Sequence, residues 1–269
     1  MLQDTKYKYN QYILKVYGYG ANKHIKLIRM NALRTSGLDI PDEIIGTGKG
    51  TVNDAKLDKS IIRSRSKIFE LSYCNPWSFF FTGTLNPTLY DRTDLNKFHK
   101  DLTQWIRDYN KKHQLNMKFL LIPELHQDKQ SWHMHGFFYD LPKEHLSQFK
   151  IGDRMGKALA EKVRKGDTVY NWGAYQNKFG FCDLEPIKNA EAVSKYVTKY
   201  ISKNLATSVT ELNAHMYYHS RGLKFADVIK KGTMTAPTDI VPTYSNDYCD
   251  VYWLPYSDDL LQRLEKGFQ

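Results

Sequence analysis

Cysteine is scarce in this chain. Cys74, Cys182 and Cys249 stand far apart, are odd in number and form no C-x-x-C pair. That argues against a disulfide framework or a thiolate zinc site and fits a reducing compartment. Long apolar runs are missing too: FLLI and WSFFF fall far short of the about 20 residues that a membrane helix needs. The opening MLQDTKYKYN has no apolar core of a signal peptide. The expectation is a soluble protein of the cytoplasm, with no membrane contact. A phosphate-binding loop of the NTPase kind is also absent. In GTGKGT, Lys49 is followed by Gly50 where a hydroxyl is required, and the first glycine is misplaced. No internal repeat, low-complexity tract or flexible linker interrupts the sequence.

Acidic residues are the remaining shortage: 29 Asp and Glu face 39 Lys and Arg, a formal net charge of +10. Many of the cations alternate with aromatics, as in KYKYNQY near the start. Cations displace the counterions of phosphates and aromatic faces stack on unpaired bases, so the pattern points to a polynucleotide, single-stranded in particular. At 269 residues with 41% hydrophobic and 14% aromatic content, the chain can bury one large core, or a core with a smaller lobe.

Along the chain, YILKVYGY and HIKLIRM read as short strands joined by a GANK turn. From Asn53 to Tyr73 the pattern is helical, with Leu57, Ile61, Ile68 and Leu71 at core spacing and Lys59, Arg63 and Lys67 every fourth position. That basic row is either a solvated face or a ridge along DNA. WSFFFTGTLNP reads as a strand ending in a turn, and DRTDLNKFHKDLTQWIRDYNKKH as the clearest helix, with Leu95, Phe98, Leu102, Trp105, Ile106 and Tyr109 on one stripe. Residues 117–139 read as strand, turn, strand. PKEHLSQF predicts a short helix, RMGKALAEKVRK another, and DTVYNWGAY and FGFCDLEPI two strands. NAEAVSKYVTKYISKN predicts a helix with Asn189 as N-cap. The tail from Ala206 is aromatic and turn-rich and ends in the amphipathic SDDLLQRLEKGF.

The chemistry concentrates in SWHMHGFFYD. Strand alternation puts His133 and His135 on one face and Trp132, Met134 and Gly136 on the other. With the turn centred between Asp128 and Lys129, Glu124 comes opposite His133 on the same face, and a slip of one residue would remove it. Two imidazoles and a carboxylate suit Mg²⁺ or Mn²⁺ at a phosphate-handling site, although zinc accepts the same ligands. On the helix over 189–204, Tyr196 and Tyr200 share a face with Lys199 between them, and Lys195 and Lys203 complete a basic stripe. The tyrosines either extend the apolar stripe of Val193, Val197 and Ile201, or one serves as a nucleophile whose phenolate Lys199 favours.

FTGTLNP, PELHQDKQSWHMHGFF and YVTKYISK, in that order, resemble the three motifs of the HUH endonuclease superfamily. The Y-x-x-K-Y form is similar to that of two-tyrosine rolling-circle replication initiators of phages and plasmids, and SRGLK at 220–224 is also similar to phage-type initiators. The resemblance spans roughly residues 75–225. It implies that His133, His135 and Glu124 hold the divalent ion. Tyr196 would attack a DNA phosphorus to leave a 5′-phosphotyrosine and a free 3′ hydroxyl, Tyr200 would make the second cleavage, and Lys199 would assist. DNA contacts would come from Lys195, Lys203, Thr82, Thr84, Lys59, Arg63 and Lys67. The partners would be single-stranded origin DNA and a host helicase and polymerase, in the cytoplasm of a bacterial cell. Gly83 departs from the family pattern, which carries a larger apolar residue there. Rival readings are a single-strand transposase or relaxase with the same chemistry, a non-catalytic DNA-binding protein, and a metallohydrolase using activated water.

The fold expected is α+β: a central, mostly antiparallel sheet of the HUH or ferredoxin-like kind, from strands near 77–84, 117–125, 131–139 and 180–186. Helices near 92–112 and 189–204 would flank it. Three parts are expected: an N-terminal β-rich segment with the basic helix (1–72), an endonuclease domain (73–225), and a C-terminal extension packed on it (226–269).

Overall fold

The structure is a computed structural model that describes residues 6–36, 54–126, 128–188, 193 and 216–269. Its elements, in chain order, begin with strands β1 (Lys6–Lys8), β2 (Gln11–Tyr19), β3 (Asn22–Met30) and β4 (Leu33–Ser36). Helix α1 (Asp54–Tyr73), strand β5 (Phe79–Thr84), helix α2 (Leu95–His113) and strands β6 (Lys118–Leu125) and β7 (Trp132–Tyr139) follow. Then come β8 (Ser147–Gln148), α3 (Lys157–Arg164), β9 (Tyr170–Asn171), α4 (Gly173–Lys178) and β10 (Cys182–Pro186). The last are β11 (Tyr218–His219), β12 (Asp227–Thr233), β13 (Tyr244–Ser245), β14 (Cys249–Pro255) and α5 (Asp258–Lys266). The architecture is α+β, and among the described residues every strand pairing is antiparallel.

By contacts the chain divides into a unit of residues 1–51 with 224–269 and a unit of 52–223. This grouping differs from the three-part division read from the sequence: α1 counts with the second unit, and the C-terminal strands count with the N-terminal ones. In the first unit β12 pairs with β2 and β14 with β3, giving a five-stranded sheet of order β12-β2-β3-β14-β13. Alternation sends Tyr12 and Leu14 of β2 and Ile25 and Leu27 of β3 into a core closed by Leu264 and Phe268. Ser257 caps α5 by accepting from the Leu260 N–H at 3.2 Å, and one buried residue, Leu264, anchors that helix.

In the second unit the sheet is seven-stranded, of order β11-β6-β7-β5-β10-β9-β8. One face carries Phe79, Phe81, Leu121, Met134 and Phe138 against α2, whose stripe Phe98, Leu102, Ile106 and Tyr109 is buried. Helix α2 starts where Asp94 accepts from the Lys97 N–H at 2.9 Å and stops at Gln114, which is left-handed with φ 54°. The other face carries Phe80, Leu120, Ile122 and Phe137 against Ile61, Ile68 and Leu71 of α1. Val193, described as helical, is buried in that same cluster.

Two local expectations are corrected. DTVYNWGAY is not one strand: β9 spans Tyr170–Asn171 and α4 follows over Gly173–Lys178. Trp172, Tyr175 and Phe179 are all fully buried in the α2-side core, and a spacing of three and four residues puts them on one helical face. PKEHLSQF yields a single 3₁₀ turn at Lys143–His145 and then the short β8.

Candidate metal centre

Three antiparallel ladders set the row of side chains at the end of the second sheet. On one side of β7, Glu124 stands opposite His133 and Ile122 opposite His135. On the other, β5 sets Thr84 opposite His133 and Thr82 opposite His135, and β10 adds Asp183 opposite Thr82. Directly paired residues share a face. Glu124, His133, His135, Thr82, Thr84 and Asp183 therefore stand on the α1 side, while Met134 is buried in the α2-side core. Phe137, two residues past His135, is packed into the α1-side core and fixes the strand's orientation.

Gly136 is what lets β6 and β7 close beside the histidines. A Cβ there would lie 2.0 Å from the Leu120 carbonyl oxygen and 2.9 Å from the Leu121 Cα. Gly83, the departure from the family pattern, has its own cause on the opposite face. A Cβ at that position would lie 2.3 Å from Cζ of Phe81 and 2.6 Å from the Tyr175 hydroxyl, so aromatic rings occupy the space a larger residue would take. At the hairpin turn, Asp128 accepts from the N–H groups of Gln130 and Ser131 at 2.9 and 2.8 Å, and Lys129 is left-handed with φ 55°. The Ser131 side chain first, and then those two N–H groups, hold the Asp128 carboxyl far below the usual carboxylate range.

Glu124 Oε2 lies 2.8 Å from His135 Nε2 and 3.9 Å from His133 Nε2. One ligand atom from each of the three residues lies within 4.8 Å of the others. Donors about 3 to 4 Å apart are what a cation bonded at roughly 2.0 to 2.3 Å to each would require. The residues therefore fit a divalent ion, and nitrogen with carboxylate oxygen does not choose among Mg²⁺, Mn²⁺ and Zn²⁺. Burial, reinforced by the neighbouring His135, pushes the His133 imidazole down to about 4, so at neutral pH it is uncharged and keeps a lone pair for a metal. His135 Nδ1 is 3.3 Å from the Thr82 hydroxyl. In the tautomer protonated on Nδ1, that N–H donates a hydrogen bond to the Thr82 hydroxyl, which leaves Nε2 as the ligand atom. Thr84 donates its hydroxyl to the Phe181 carbonyl at 2.9 Å.

Three neighbours of the cluster escaped the sequence reading. His126 stacks obliquely on His133, ring centroids 5.5 Å apart. Arg92 receives the Trp132 N–H on its carbonyl at 2.8 Å, its charge bears on His133, and its buried Nε has no hydrogen-bond partner among the described residues. Asp183 is held up at about 6 by burial, with Glu185 adding to the effect and Lys162 and His135 opposing it. Of the residues expected to touch DNA, Arg63 and Lys67 are exposed on α1 and Lys59 lies within the same helix. Tyr196, Tyr200, Lys195, Lys199 and Lys203 lie outside the described residues.

Residues 78–205 match the family model described as replication-associated protein of the ORF2 type. The match takes in the hairpin with all three candidate ligands, the strand β5 beside it and the segment holding both tyrosines. This stretch, just under half of the chain, is thus similar to a family of replication-associated proteins. Comparison with the curated proteins and with the solved structures gave no match. No helix among the described residues is long and apolar enough to cross a membrane.

Proposed function

We propose that the second unit nicks and rejoins single-stranded DNA at a replication origin. The observation that carries this reading is the Glu124–His133–His135 cluster, presented on one sheet face inside a segment that matches a rolling-circle replication family. A divalent ion held there, Mg²⁺ or Mn²⁺, would polarise the scissile phosphate and neutralise its developing charge. Tyr196 is the nucleophile: its oxygen bonds to phosphorus as the bond to the 3′ oxygen breaks, leaving a 5′-phosphotyrosine and a 3′ hydroxyl for a polymerase. Tyr200 makes the second cut after strand displacement, and Lys199 stabilises the phenolate. The ester to tyrosine conserves the energy of the phosphodiester, so rejoining needs no nucleotide and the lack of an NTPase loop is accounted for.

Val193 supports the placement of this chemistry. It is helical and 4% exposed within the cluster of Phe80, Ile122 and Phe137, on the side that bears His133 and His135. In the sequence, Tyr196 and Tyr200 stand three and seven positions beyond it, the spacing of one helical face.

Incubation of the protein with end-labelled single-stranded origin DNA and Mn²⁺ tests the proposal. A covalent adduct is expected, reduced in Tyr196→Phe and abolished in Tyr196→Phe/Tyr200→Phe. An adduct that persists in the double variant refutes the tyrosine mechanism. Free 5′ phosphate ends without an adduct assign the cut to activated water instead.

A further inference from the structure

The second unit holds a cleft of about 560 Å³ between α2, the first residues of β6 and the segment 217–221. Arg107 of α2, Lys118 at the start of β6 and Arg221 beyond β11 line it, and no carboxylate is among its lining residues. No ion pair involves these three cations among the described residues. Flat rings accompany them. His99 stacks on Tyr218 with centroids 3.6 Å apart and planes 14° apart, and Tyr217 stacks on His219 at 5.7 Å and 18°.

The cleft is held open by construction. Ser220 donates its N–H to the Phe119 carbonyl at 2.9 Å, and its Oγ accepts the Phe119 N–H at 2.9 Å. That reciprocal pair extends the β11–β6 ladder by one rung and fixes Arg221 at the sheet edge. The chain then turns at Gly222, φ 78°, where an added Cβ would lie 3.8 Å from the Lys118 ammonium. The SRG of the sequence is thus a corner that brings Arg221 and Lys118 to one mouth. Lys118 and Glu124 are the first and seventh residues of one strand, which at about 3.3 Å per residue sets the cleft roughly 20 Å from the metal cluster.

We propose that this cleft is a second contact for single-stranded DNA, gripping phosphates with Arg107, Lys118 and Arg221, with the exposed His219 ring beside them. Cations without carboxylates select a polyanion, and a flat ring exposed beside them favours one with unpaired bases. The choice of DNA rests on the proposed function; the binding chemistry does not. The cleft holds the strand away from the point of cleavage, so that its hold on DNA and the reaction at the metal are separable.

The test is fluorescence anisotropy with labelled oligothymidylate of about 30 nucleotides, ample for an extended contact, in EDTA across a salt series. Lys118→Ala/Arg221→Ala is compared with wild type, and the surface variant Arg107→Glu guards against a folding artefact. Each variant should weaken binding about tenfold, and the double variant should flatten the slope of log K against log salt by about 1.4, for two lost phosphate contacts. The rise in melting temperature caused by Mn²⁺ should not change. An unchanged affinity or salt slope in the double variant overturns the proposal, as does tighter binding to duplex of equal length. No step of the assay requires cleavage, so an absence of tyrosine adducts would remove the nicking mechanism while leaving the cleft to be judged on binding alone.

Discussion

Replacing Gly136 by alanine should damage both the sheet and the metal centre. An added methyl would stand 2.0 Å from the Leu120 oxygen, whereas ordinary contact begins at 3.4 Å, a shortfall of 1.4 Å met by backbone that has no flexible end to yield. Opening β6 from β7 by that amount breaks the flanking ladder bonds. Two lost backbone bonds with the accompanying strain cost about 3 to 5 kcal/mol. For a unit of this size that lowers the melting temperature by roughly 6 to 20 °C. The same opening draws His135 away from Glu124, now 2.8 Å apart, and should weaken Mn²⁺ binding by at least about tenfold, the effect of disturbing a metal's supporting shell. Thermal melts by circular dichroism, with and without MnCl₂, measure both effects. Gly173→Ala is the control, since nothing lies within 4 Å of its added Cβ, and it should be neutral or stabilise by up to about 1 kcal/mol. If Gly136→Ala melts within 2 °C of wild type, on the order of 1 kcal/mol or less, and keeps its response to Mn²⁺, the reasoning from strand contact fails.

His135→Ala should abolish the stabilisation by Mn²⁺. At a concentration 100 times the dissociation constant, the ion adds about 2.7 kcal/mol to wild type, a shift of roughly 5 to 11 °C; a retained shift would remove His135 from the ligand set. Asp183, raised to about 6 from an ordinary 3.8, costs stability as pH rises. Between those values the folded state holds a proton the unfolded state has lost, so the cost is absent below pH 4 and complete above pH 6, at most about 3 kcal/mol. Asp183→Asn, melted in EDTA, should therefore gain on wild type at pH 7 and not at pH 4; an equal gain at both would mean the charge is not the cause. Asp94→Ala removes the cap of α2 and should lower stability by about 1 kcal/mol, read as a shift of roughly 2 to 4 °C; no shift would mean that the bond to Lys97 contributes nothing.

The hairpin was legible because both of its determinants are local. Period-two alternation assigns His133 and His135 to one face, and the turn at Asp128 and Lys129 sets the register that brings Glu124 opposite His133. Helix α2 was legible for a similar reason, an apolar stripe at helical spacing that needs no distant partner to be read. The tail was not. Strands β12 and β14 are read as strands only once β2 and β3 are in place to pair with them, and β12 is largely exposed, so it carries little apolar signal. Trp172 and Tyr175 misled because aromatic residues favour strands, and only their burial on one side of α4 reveals the helical period. Arg92, His126 and Asp183 reach the cluster from a turn, a strand end and a strand two places across from β7; no spacing rule unites them. The tyrosine pair rests on motif and on the family match, since its residues lie outside those described.

All three candidate ligands belong to β6 and β7, the two arms of one hairpin. Closing such a hairpin takes about 1 to 10 μs and little loop entropy, whereas the first unit must bring together partners as remote as Val16 and Asp227. The ion site can thus be assembled while the chain's ends are still unpaired. An ion bound there would tie together the two arms it depends on. Under denaturing stress it should act as a clamp on the nascent sheet, so that the grip on metal is among the first properties the chain acquires and among the last it surrenders.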